Sequence, residues 1–119
     1  MKKILFTLIA LFGITATVMA DSLPAYPGGE EALQNYLTTN MKYPATARDN
    51  GIEGVVNLEC TIRTDGTVGP IRIVRMIDPD LEQEAIRLVK EMPAWTPAEK
   101  GGVPVETTVT IPVSFILPE

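Results

Sequence analysis

Val103, Val105, Val109, Ile111, Val113, Phe115 and Leu117 stand at odd positions in the last stretch of the chain, and only Thr107 breaks the row. Between them lie Pro104, Glu106, Thr108, Thr110, Pro112 and Ser114, with Ile116 as the one apolar intruder. An extended chain sends successive side chains to opposite faces, so this period of two makes one apolar face and one wet face. A helix would scatter the same residues around its circumference. Val103 to Leu117 is therefore predicted to be a strand. It needs a sheet to join and a second layer over its odd face.

The elements upstream can supply both. Gly28-Gly29-Glu30-Glu31 opens a helix, its two acids complementing the positive end of the helix dipole. Leu33, Tyr36, Leu37 and Met41 give that helix an apolar stripe at spacings of three and four. Tyr43-Pro44 interrupts it, and Pro44 to Asn50 starts a shorter helical piece that stops at Asn50-Gly51. Val55 to Arg63 alternates again, with Val56, Leu58, Cys60 and Ile62 on one face. Asp65-Gly66 signals a hairpin into a strand carrying Val68, Ile71, Ile73, Val74 and Met76. Val68 and Ile71 are out of phase, so a bulge at Gly69-Pro70 is expected. Asp78-Pro79-Asp80 then opens a helix with Leu81, Ala85, Leu88, Val89 and Met92 as its buried stripe. Its cap is either Asp78 ahead of Pro79 or Asp80 with Gln83. Trp95, between Pro93 and Pro97, is expected to anchor the crossing to the last strand. Glu99-Lys100-Gly101-Gly102 is the polar turn before it.

The chain has 119 residues and a net charge of −5, enough for one compact domain, with no basic stripe for a nucleic-acid partner. Residues 1–20 read as a cleaved signal peptide: Lys2 and Lys3, an apolar run from Ile4, then Val18-Met19-Ala20 before Asp21. A retained inner-membrane anchor is the alternative. Cleavage would remove Lys2 and Lys3 and take the net charge from −5 to −7. Residues 21–27 form an extended lead-in and residues 28–119 the domain. An enzyme is disfavoured. There is no histidine for acid–base work, Cys60 falls in a core row, and Ser22 and Ser114 have no evident base. Asp78, Asp80, Glu82 and Glu84 lack the spacing of a calcium loop and suit a helix start. No catalytic residue, metal site or cofactor is assigned.

The order of parts is distinctive as a set. Tyr43-Pro44-Ala45 with Ala47, Gly51-Ile52-Glu53-Gly54-Val55, Asp65-Gly66-x-Val68, the helix over 78–92, Trp95-x-Pro97 and the last strand resemble the C-terminal domain of the TonB energy-transducer family. Tyr26-Pro27-Gly28-Gly29 looks like the variant found in Bacteroidetes-type bacteria. The resemblance runs from Tyr26 to Leu117. It implies an α+β two-layer sandwich, with helices packed on one face of a roughly three-stranded antiparallel sheet. It also implies a periplasmic module that docks the TonB box of outer-membrane receptors by adding it as a strand beside the last one, in TonB-dependent transport. Family transducers also carry an inner-membrane helix and a long proline-rich linker. Neither is read here, and Asp21 to Pro27 would reach only about 25 Å at roughly 3.5 Å per residue. A separate membrane-anchored transducer is thus a candidate partner, as is a second copy of the chain. The competing reading is a soluble periplasmic adaptor or cell-wall-associated module with no transport role.

If the last strand is an edge, its hydrogen-bonding direction alternates in step with its side chains. Pro112 has no N–H, so it should point to the open edge. Parity then sends Glu106, Thr108, Thr110 and Ser114 to the same edge, and those five residues form the expected docking row. Proline at an exposed edge can equally guard against unwanted pairing.

Overall fold

The computed structural model describes residues 21–118, and the signal-peptide reading of residues 1–20 lies outside them. Among the described residues no helix is long and apolar enough to cross a membrane. The elements run α1 (Gly29–Asn40), α2 (Ala45–Asp49), β1 (Gly54–Ile62), β2 (Val68–Ile73), α3 (Pro79–Lys90), β3 (Ala98–Lys100), β4 (Val103–Val105) and β5 (Thr107–Phe115). The main sheet has three antiparallel strands in the order β2-β1-β5, and β3 pairs with β4 in a separate hairpin.

Each face of the sheet follows from the period of two. Val56, Leu58, Cys60 and Ile62 of β1 are buried, as are Ile111, Val113 and Phe115 of β5. Leu81, Ala85, Leu88 and Val89 of α3 and Leu33 and Leu37 of α1 cover them, completing one core. Removing one such side chain from water stabilises the fold by about 1.5–3 kcal/mol. The acids of α3 serve the structure. Asp78 is the cap, its Oδ2 accepting from the N–H groups of Asp80 (3.0 Å) and Leu81 (3.1 Å), with Pro79 in the first turn. Glu82 accepts the Ile77 N–H. Glu84 accepts from Arg87 and from the Lys42 N–H (2.7 Å), tying the end of α1 to α3.

The β1–β2 hairpin closes through Asp65, whose Oδ1 accepts from Thr67 Oγ1 (2.7 Å) and the Thr67 N–H (3.0 Å). Gly66 has φ +88°, and a Cβ there would stand 1.9 Å from the Trp95 carbonyl oxygen. Only glycine fits. The Trp95 N–H donates to the Gly66 carbonyl (2.8 Å), and its buried ring meets Tyr26 edge-on at 5.7 Å. The expected bulge is present: β1 advances two residues from Cys60 to Ile62 while β2 spans three, from Ile71 to Val68.

The last stretch departs from one continuous strand. Glu106 separates β4 from β5, and β4 turns back on β3 through Gly101 and Gly102. Their φ values of 60° and 81° suit the tight two-residue turn that matches strand twist. Parity cannot distinguish one long strand from two consecutive ones, because both alternate. The lead-in is also more ordered than its composition suggests. Ser22 pairs with Glu99 and Ala25 with Thr96 through reciprocal backbone bonds of 2.8–3.0 Å, and the Asp21 carboxylate accepts the Gly101 N–H (3.0 Å).

The free edge of the last strand as the candidate functional site

β5 has one neighbour. It pairs with β1 in unbroken register from Gly54↔Phe115 to Ile62↔Thr107, and among the described residues nothing pairs with its other side. The direction of each backbone group follows from one bond. The Asn57 carbonyl accepts the Val74 N–H (2.9 Å), so the polar groups of Asn57 face β2 and not β5. Asn57 stands opposite Pro112. That pair is therefore a non-hydrogen-bonded one, and the missing N–H of Pro112 falls on the open edge. Alternation then turns Thr107, Val109, Ile111 and Val113 inward to β1. Thr108, Thr110 and Ser114 each present an N–H and a carbonyl outward, and Pro112 presents a carbonyl alone.

Their side chains are exposed on the sheet face away from the helices, whereas Ile111, Val113 and Phe115 are buried beneath. Glu106 is exposed but precedes the ladder by one residue. Four of the five residues expected in the docking row therefore lie in one strand, and Glu106 stands at its threshold. Two further residues hold the strand at its far end. Glu53 accepts the Leu117 N–H through Oε2, and Tyr43 meets Phe115 edge-on at 5.7 Å. Glu53 sits within Gly51-Ile52-Glu53-Gly54-Val55, and a carboxylate reaching a backbone N–H sixty-four residues away leaves no local signal in the sequence. No ionisable side chain on the edge is set up for chemistry. Burial pushes the Cys60 thiol up to about 11, so it stays protonated at neutral pH.

The family model of the Gram-negative bacterial TonB protein C-terminal matches residues 39–117. The chain belongs to that family. The TonB C-terminal fold recurs in two NMR solution structures from Helicobacter pylori. One is 26% identical with a TM-score of 0.57, the match covering 75% of this chain and 94% of that one. A longer piece of the same protein is 24% identical with a TM-score of 0.56, covering 78% and 88%, and carries the likeness in fold alone. No curated protein matches the chain. As a TonB C-terminal domain the chain has an antiparallel three-stranded sheet with helices. Membership implies a part in TonB-dependent transport, in an envelope location, as a binding module of a non-enzymatic family.

Proposed function

We propose that this domain docks the TonB-box segment of an outer-membrane receptor by strand addition to β5, in the periplasm, after export by a signal peptide cleaved behind Ala20. The observation that supports the reading is the outward row of Thr108, Thr110 and Ser114 on an edge with no neighbour among the described residues. An added strand would bond its own backbone to those groups, and each bond contributes about 0.5–1.5 kcal/mol net. Pairing is densest across Thr108 and Thr110, where donors and acceptors are both present. Pro112 withholds one donor, which shortens the competent segment and limits indiscriminate pairing. Glu106 flanks the row rather than bonding within it.

Thr108→Pro and Thr110→Pro test this. Each removes an outward N–H without touching the ladder to β1. Each should weaken binding of a synthetic TonB-box peptide about tenfold or more while leaving the circular dichroism unchanged. Unaltered affinity in both variants would rule out backbone docking on β5.

A further inference from the structure

Pro112 shares the free side of the chain's last stretch with a second proline. Ser22 and Glu99 exchange both backbone bonds, the Ser22 N–H to the Glu99 carbonyl (2.9 Å) and the Glu99 N–H to the Ser22 carbonyl (3.0 Å). The polar groups of Glu99 therefore face the lead-in and not β4. Glu99 stands opposite Pro104. Like Asn57 with Pro112, this is a non-hydrogen-bonded pair, and the missing N–H of Pro104 falls on the side away from β3. Among the described residues β4 pairs with β3 alone. Its odd residues bond to β3 as the odd residues of β5 bond to β1. Burial keeps the same alternation across the break at Glu106: Val105, Thr107 and Val109 are half-buried, whereas Pro104, Glu106 and Thr108 are exposed. The Trp95 N–H on the Gly66 carbonyl holds the segment leading into β3 against the tip of the β1–β2 hairpin. The free side of β4 thus leads into the free side of β5, with a donor missing at Pro104 and again at Pro112.

These gaps weigh differently on different occupants. A foreign strand brings a complete backbone of its own. Lying along Thr108 to Ser114 it loses one bond, at Pro112, and continuing onto β4 it would lose another at Pro104. A second copy of the chain brings the same gaps with it. Two copies pairing antiparallel at β5 are related by a two-fold axis, so each contact occurs twice. Bonds form only where outward residues face outward residues. Whichever outward residue meets Pro112, the symmetry repeats the fault on the other strand. We infer that Pro104 and Pro112 determine the specificity of this edge: they admit a single foreign extended segment that stops short of β4, and they refuse a second copy. This rests on the docking reading and adds to it which occupant the edge accepts and where that occupant ends.

Pro112→Thr restores one donor at an exposed position and is read in two ways on the full chain: titration with a short synthetic TonB-box peptide, and self-association in sedimentation. Peptide binding should tighten about two- to tenfold, the worth of one net hydrogen bond. Dimerisation should strengthen by about the square of that factor, because the symmetry restores the donor twice. Pro104→Thr should raise the affinity of the same peptide, extended at both ends by alternating threonine and serine, relative to the short one by about two- to tenfold. The Pro104→Thr/Pro112→Thr double variant should dimerise at concentrations where the unaltered chain is a monomer. Equal gains in peptide binding and dimerisation would overturn the exclusion of a second copy. So would a double variant that stays monomeric, or an unaltered chain that dimerises with its Thr108 and Thr110 amides protected. An extended-to-short affinity ratio that Pro104→Thr does not change would overturn the stop at β4. All these outcomes leave the docking reading standing as long as peptide protects the Thr108 and Thr110 amides. If neither peptide protects them, the docking reading fails, and this inference with it.

Discussion

β2 and β5 both border the sheet, and among the described residues each has β1 as its only partner in it, yet the chain treats the two borders differently. β2 is six residues long and bulged. Its outward groups belong to Val68, Ile71 and Ile73, because Ile62, Cys60 and Leu58 opposite them turn their own groups to β5. The Val68 carbonyl is already taken by Arg63 Nη1 (3.2 Å), and Gly69 leaves the guanidinium room to lie there, 3.2 Å from where a Cβ would stand. β5 has nine residues in unbroken register, no bulge and no charge within it. Bulges, charges and short length are the usual protections of a free edge. They are concentrated on β2, and on β5 only Pro112 remains. That contrast supports placing function on β5 and protection on β2.

The contrast can be broken most severely at β5 itself. Val109→Pro deletes an inward N–H and should cost about 3 kcal/mol or more in urea unfolding, whereas Thr110→Pro, one residue on, should cost less than about 1 kcal/mol. Equal costs would mean that the two residues do not face opposite ways. Next comes the turn that carries β2. Gly66→Ala places a Cβ against the Trp95 carbonyl at positive φ and should cost about 2–3 kcal/mol, with Trp95 fluorescence reporting the loosened contact.

A smaller effect distinguishes the borders by pH. Burial alone would raise the Glu84 carboxyl, but the hydrogen bonds from Arg87 and the Lys42 N–H outweigh it and hold its pKa below the ordinary 4.5. A depressed folded pKa stabilises fully above the unfolded value and is lost as pH falls through the folded one. Stability should therefore fall on acidification below pH 4.5, and Glu84→Gln should flatten that limb. Because α3 packs on β1 and β2, amide exchange at β2 should quicken before that at β5. The smallest change is at the guard. Arg63→Ala should alter stability by less than about 1 kcal/mol but uncover the Val68 carbonyl, raising self-association in sedimentation.

Much of this was legible from residue order. The alternating rows named the core of β1 and β5, the phase slip between Val68 and Ile71 located the bulge, and Asp78-Pro79 marked the start of α3. Cys60 in a core row is indeed buried. Pro112 carried the direction of the open edge, since a missing donor has only one tolerable orientation. The rest depends on distant partners. The pairing of Ser22 with Glu99, the break at Glu106, the reach of Glu53 to Leu117 and the grip of Trp95 on Gly66 join residues whose neighbours in sequence give no sign of them.

The most direct test is amide hydrogen exchange along β5, residue by residue, with and without a receptor TonB-box peptide. In the free protein Thr108, Thr110 and Ser114 should exchange rapidly while Thr107, Val109, Ile111 and Val113 are protected, and bound peptide should slow the first set at least about tenfold. Protection of Thr108, Thr110 and Ser114 in the free monomer, or rapid exchange at those residues with peptide bound, would contradict a free edge that receives a partner strand.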